Sequence, residues 1–130
     1  MADAGADMQK AIFTRLAANL ELSKLFTPVM GARQKMPRLD FDGLETRPHP
    51  DSDGGIFSHV VRFSIWSDLY DVENGATEAA RLRAWFENAS LALPSSTLIA
   101  MRFSTITSEK DTNARAWRHR VNFTAITEMN

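Results

Sequence analysis

The sequence contains no cysteine, which removes disulfide scaffolds, thiolate zinc sites, iron–sulfur clusters and cysteine nucleophiles together. No apolar run approaches the ~20 residues needed to span a bilayer. The opening Met1-Ala-Asp-Ala-Gly-Ala-Asp7 has neither the basic flank nor the apolar core of a secretion signal. Charge of one sign is not in excess: 15 basic against 16 acidic residues give a formal net charge of −1, so bulk attraction to nucleic acid or membrane is not expected. The glycines form no GxGxxG or GK[ST] phosphate cradle and no Gly-x-Ser-x-Gly elbow. What is present is an ordinary mixture, 44% hydrophobic and 24% charged over 130 residues. That is enough for one domain, residues 1–130, with a real core.

Two segments have helical period. Asp7 is a candidate N-cap, and Met8, Ile12, Leu16 and Leu20 recur on one side, with Phe13 beside them, so residues 7–18 read as an amphipathic helix. Leu22, Leu25 and Phe26 extend that side until Pro28 stops it. A second helix runs from an Asp71 cap to about Ser90, with Val72, Ala76, Ala79, Leu82, Phe86 and Ala89 as its buried stripe and a Glu78–Arg81 pair on its surface. Trp85 falls slightly off the stripe.

Three segments alternate with period two. Over residues 56–67, Phe57, Val61, Phe63 and Ile65 share one face, and Ser58, Arg62 and Ser64 the other. Residues 98–104 place Ile99, Met101 and Phe103 opposite Arg102 and Ser104. After a polar turn at 108–113, residues 115–127 place Trp117, Val121, Phe123 and Ala125 opposite Arg118, Arg120, Asn122 and Thr124. The turn suits an antiparallel hairpin. Residues 31–55 are rich in proline, glycine and aspartate; they read as a flexible segment with a short strand near 39–47 and a long loop after it. The expected fold is α+β, a mainly antiparallel sheet with two helices packed on one face.

Candidate chemistry is sparse. His59 and His119 fall on the apolar faces of their strands, either as a metal-binding or pH-sensitive pair or as two hydrogen-bonded histidines at the rim of the core. The run Asp51-Ser-Asp-Gly-Gly55 begins like a calcium loop, but its twelfth position is Arg62 where a bidentate glutamate is needed. No metal or cofactor site is expected. The polar sides of the strands do collect Arg62, Arg102, Arg118 and Arg120, with Trp66 among them as an exposed aromatic. That face reads either as solvated sheet or as a contact surface, since arginine and aromatic residues are enriched at interfaces.

The chain resembles the tail-terminator (tail-completion) proteins of long-tailed bacteriophages and related gene transfer agents. The likeness rests on Met8-Gln-Lys-Ala-Ile-Phe-Thr-Arg-Leu-Ala-Ala18 with Leu22-Ser-Lys-Leu-Phe26, and on Val61-Arg-Phe-Ser-Ile-Trp-Ser67 running into an alanine-rich helix. It continues in Leu98-Ile-Ala-Met-Arg-Phe103 and Trp117-Arg-His-Arg-Val-Asn-Phe-Thr-Ala125. It departs from the family at residues 34–55, where a compact proline-containing strand is drawn out.

The resemblance implies a tail-terminator-like fold and a non-enzymatic virion protein, assembled in the host cytoplasm and located at the neck of the particle. Such proteins form a ring, usually hexameric, that caps the head-proximal end of the tail tube, stops its polymerisation and docks the head-completion or stopper protein. DNA passes only through the lumen, and no membrane or cofactor is involved. On that reading Arg62, Trp66, Arg102, Arg118 and Arg120 form a subunit or partner interface, and His49, Asp51 and Asp53 a docking loop. The alternatives are another neck ring component, such as a head–tail stopper or connector, and a small metal-dependent hydrolase using His59 and His119 with a loop aspartate.

Overall fold

The computed structural model describes residues 4–26, 36–50 and 54–130. The element order is α1 (Ala4–Ala17), α2 (Leu20–Leu25), β1 (Arg38–Pro48), β2 (Ile56–Asp68), α3 (Val72–Phe86), β3 (Ser96–Asp111) and β4 (Ala116–Met129). The strands form one antiparallel sheet in the order β1-β2-β4-β3. The helices lie together on one of its faces, so the α+β architecture is as expected. Among the described residues no helix is long and apolar enough to cross a membrane.

The first helix buries Met8, Ala11, Ile12 and Leu16, the stripe its period dictates. It begins at Ala4, so Asp7 sits within the first turn instead of capping it. The chain then breaks at Asn19, whose side chain accepts from the Leu22 amide at 3.1 Å and starts α2. A cap of this kind is worth ~1 kcal/mol. The break re-aims the apolar side: Leu22 is fully buried, whereas Leu20, expected on the stripe, is 76% exposed.

Within residues 31–55 the structure describes 36–50 and 54–55. The strand expected near 39–47 is there, running Arg38–Pro48 and paired with β2 along its length. Its alternation is broken by a bulge at Asp42, where Phe41 faces Phe63 but Gly43 already faces Arg62. Gly43 has φ 148°, a conformation glycine adopts without strain. The extra residue inverts the alternation after it, so that Leu39, Phe41 and Leu44 all face the core while Glu45 faces out.

Two bulges likewise displace residues in β3, between Leu98 and Ala100 and between Phe103 and Thr105. Met101 and Phe103 face the core as expected, but Ile99 is extruded and 54% exposed, and Leu98 takes its inward position. The strand also runs on through Asp111, across residues expected in the polar turn; the turn proper lies after it, with the Ala114 amide bonded to Asp111 Oδ1 at 2.9 Å.

On the helix-covered face, Val61, Phe63, Ile65, Val121, Phe123 and Ala125 meet Met8, Ile12, Leu16, Leu82 and Phe86. Ring contacts run across the sheet from Phe13 to Phe41 (5.1 Å), Phe63 (5.6 Å), Phe123 (6.0 Å) and Phe103 (6.2 Å). Edge-on pairs of this kind add to their area burial. In α3, Leu82, Phe86 and Ala79 face inward as their spacing dictates, but the first turns are rotated: Gly75 and Glu78 are buried, and Val72 and Ala76 are exposed. Glu78 is therefore not a surface residue, though it does pair with Arg81 at 3.1 Å. The rotation is set by Gly75, where a Cβ would fall 2.4 Å from His119 Nε2 and 2.5 Å from Ser67 Oγ. Only the absent side chain lets α3 approach this closely.

Candidate interaction surface

The uncovered face of the sheet carries the predicted arginines, and the register arranges them in rows. Arg118 lies opposite Trp66, and Trp66 opposite Arg38; Arg120 lies opposite Ser64; Arg62 lies between Asn122 and Gly43; Arg102 faces Thr124. The sheet thus brings Arg62, Trp66, Arg102, Arg118 and Arg120 onto one surface.

Most of that surface is occupied with itself. Arg118 donates from Nε to Ser64 Oγ at 2.9 Å and from Nη2 to Asp42 Oδ2 at 3.2 Å, and Asp42 also accepts from the Ser64 hydroxyl. The guanidinium groups of Arg38 and Arg118 each lie 5.1 Å from the Trp66 ring centroid. Trp66 is consequently 9% exposed and Ser64 is fully buried, which corrects the expectation of an exposed tryptophan. Flanking cations replace water over the ring, an arrangement that cation–π attraction favours.

Three more arginines are paired in the same way. Arg62 pairs with Glu45 at 3.2 Å, Arg120 with Glu109 at 2.9 Å and Arg38 with Asp40 at 3.5 Å. Glu45 also accepts from Arg47, and hydrogen bonds from Arg47 and Arg62 hold its carboxyl below the ordinary glutamate range. Arg102 is exposed, and its side chain makes no hydrogen bond or ion pair among the described residues. Pairs this exposed contribute little to stability individually. Their consequence is electrostatic: Asp40, Asp42, Glu45 and Glu109 set negative charge among the arginines and offset most of it. The counter-charges Asp40, Asp42, Glu45 and Glu109 were the part that sequence reasoning missed. Glu45 in particular reaches this face only through the bulge at Asp42.

The histidines occupy the opposite, core-facing side. His59 is fully buried, with Nδ1 bonded to Thr46 Oγ1 at 2.9 Å and Nε2 to Thr127 Oγ1 at 2.8 Å. His119 is equally inaccessible; its Nδ1 bonds Ser108 Oγ at 2.7 Å, while its Nε2 and the neighbouring Ser67 Oγ lie buried without partners. Burial lowers the pKa of both. They are on paired strands, but His59 faces Ala125 and His119 faces Ile65, six positions along β2, roughly 20 Å apart. They cannot bind one ion. Among the described residues no group of three metal-ligating side chains occurs, and a hydroxyl-bonded imidazole inside a core has no substrate to act on.

Of the predicted docking loop, His49 follows β1 and donates its amide to the Ile56 carbonyl at 2.8 Å, which ties the end of β1 to the start of β2. Asp51 and Asp53, including the start of the calcium-like run, lie outside the described residues.

Comparison with known proteins bears on the chain as a whole. A family model described as tail completion protein gp17 matches residues 10–128. Among solved structures, a chain from the virion of a native gene transfer agent particle superposes with a TM-score of 0.82 at 20% sequence identity, covering 98% of this chain and 99% of that one. At that identity the likeness is one of fold. No curated protein matches significantly.

Proposed function

We infer the role of this chain from its family: it belongs to the tail completion protein gp17 family and is a structural protein of a virion tail, not an enzyme. In our reading it closes the head-proximal end of the tail tube as a ring of copies, halts tube polymerisation there, and presents a surface to the head-completion or stopper protein. The ring is hexameric, and DNA passes through its lumen. The observation that carries this reading is the segregation of the described helices to one face of the sheet, which leaves a polar face to line a channel and two strand edges for contacts between copies.

The electrostatics support the same reading. A conduit for DNA must not grip phosphates, since each neutralised phosphate adds salt-dependent affinity. Here Arg38, Arg62, Arg118 and Arg120 are each paired with a carboxylate of the same chain. Arg102 is the member of the predicted set with its charge uncommitted, and contact with a partner segment that enters the channel is assigned to it. Of the docking loop, His49 serves to hold the hairpin that presents the loop. The stopper alternative draws no support from a family of tail completion proteins, and the hydrolase alternative fails with the separation of the histidines.

The test is a particle preparation from cells lacking the protein, viewed by negative-stain electron microscopy. Tails unjoined to heads, with tubes of irregular length, are expected, and complementation with the intact chain restores joined particles. Joined particles of normal tail length without the protein overturn the reading.

A further inference from the structure

The four-stranded sheet ends in two edges, β1 and β3. Natural sheets keep edge strands short or guarded by charge, proline or bulges. Here the longest strand, β3 with 16 residues, is an edge. Its two bulges disturb only the first part, leaving residues 105–111 regular. Ser104, Thr105, Ile106, Thr107 and Ser108 are exposed, carry no charge and include no proline, Ile106 is 42% exposed, and the charges of the regular segment are confined to its end at Glu109, Lys110 and Asp111. On β1, Phe26 bridges Leu39 and the Asp42 bulge follows; among the described residues nothing pairs with the outer side of 43–48.

We propose that residues 105–111 of one copy pair with residues 43–48 of a second copy, joining the sheets edge to edge around a closed barrel. The proposal rests on the ring reading above and names the contact that closes it.

Strand direction supports it. With every neighbour antiparallel in the order β1-β2-β4-β3, the two edge strands run in opposite directions. Copies related by rotation about a ring axis therefore meet antiparallel, and the alternation continues unbroken across each junction. A head-to-tail contact of this kind closes when the rotation closes, and closure removes every edge.

The stagger supports it as well. Thr105 and Gly43 share one row of the sheet, through Asn122 and Arg62, and from that row the two regular segments extend in opposite directions along the strand axis. Their midpoints are offset by five to six residues, about 19 Å, and four strands span about 19 Å of width. Rise equal to width gives a strand slope of roughly 45°, at the top of the range for closed barrels. A β2–α3–β3 crossover is right-handed by rule. With the helices outward, that hand turns the stagger into a right-handed coil of strands, as strand twist favours.

The absence of cysteine gives a clean test. Side chains on the polar face must meet those on the polar face of the next copy, which places Arg47 opposite Thr105 or Thr107, both exposed. Arg47→Cys/Thr105→Cys and Arg47→Cys/Thr107→Cys are incorporated into particles, treated with a short bismaleimide and resolved on a denaturing gel. At least one double variant is expected to give a ladder of multiples ending at the ring's copy number, and the single variants none. Dimers from Thr105→Cys or Thr107→Cys alone indicate β3–β3 pairing and overturn the proposal. Neck rings seen by microscopy without a ladder overturn the edge contact and leave the ring reading standing; no ring at the neck overturns both. As a second measure, Ile106→Lys is expected to abolish rings with unchanged thermal unfolding of the monomer, and normal rings in that variant also count against the contact.

Discussion

Arg15 and Trp85 clasp each other through both main chain and side chain. The Arg15 guanidinium lies 3.8 Å from the centroid of the Trp85 ring and donates to the Trp85 carbonyl from Nη2 at 2.9 Å, while the Trp85 indole Nε1 donates to the Arg15 carbonyl at 2.8 Å. This ties α1 to α3 near the end of each helix, and it explains why Trp85 falls beside the apolar stripe and not on it. Trp85→Phe keeps the ring and loses one hydrogen bond, an expected cost of about 1 kcal/mol. Arg15→Ala also strips the cation and leaves the Trp85 carbonyl without its donors, a cost of about 1–3 kcal/mol. Urea unfolding of both single variants and the double checks this. The double variant should cost less than the sum, because the residues share one contact.

Gly75 sets two effects against each other. In an exposed helix interior, glycine to alanine stabilises by about 1 kcal/mol. At Gly75 the new methyl falls 2.4 Å from His119 Nε2 and 2.5 Å from Ser67 Oγ, and overpacking costs about 1–3 kcal/mol. Crowding is expected to win, so Gly75→Ala lowers the melting temperature. Adding Ser67→Ala should recover part of the loss, since it removes one of the two clashing atoms. A raised melting temperature in Gly75→Ala would show that α3 is free to lift.

The buried histidines make stability depend on pH. Burial lowers the pKa of His59 and of His119 from the ordinary value of 6.5, so below that value the unfolded chain binds protons that the folded chain refuses. Stability then rises with pH in this window: it is at its full value above about pH 6.5 and falls as the pH drops through the lowered folded values. Melting temperatures measured from pH 7.5 to 5 should decline toward acid. His59→Gln should flatten the decline, while its amide can still bond Thr46 and Thr127. An unchanged slope in that variant assigns the pH dependence to other groups.

Much of this structure could be read from the chain where one rule acted alone. Alternation in β2 and β4 assigned Phe63, Ile65, Val121 and Phe123 to the core and the arginines to the far face, because both strands are central and unbulged. Where two rules competed, the periodic pattern misled. Bulges at Asp42 and Ile99 reversed the alternation within the edge strands, a cap at Asn19 turned Leu20 outward, and the close approach at Gly75 rotated the start of α3. The arginine surface was legible as a set of residues but not as a network. Its carboxylates come from β1 and β3, whose register no local pattern encodes, and the cover over Trp66 depends on Arg38 and Arg118 meeting from strands on either side of β2.

That network divides the arginines by consequence. Arg118 braces Ser64, Asp42 and Trp66 together, so Arg118→Glu sets a second carboxylate against Asp42 and uncovers the indole, and a loss of about 2 kcal/mol of monomer stability is expected. A failure to assemble in that variant has to be read against its unfolding, because lost monomer stability alone can produce it. Arg102 has no such ties among the described residues, and Arg102→Glu should leave unfolding within about 0.5 kcal/mol of the parent while reducing the yield of joined particles. Thermal unfolding and particle counts on both variants separate the two roles. An Arg118→Glu chain as stable as the parent shows that the cluster does not brace the sheet, and normal joining by Arg102→Glu removes Arg102 from the contact surface.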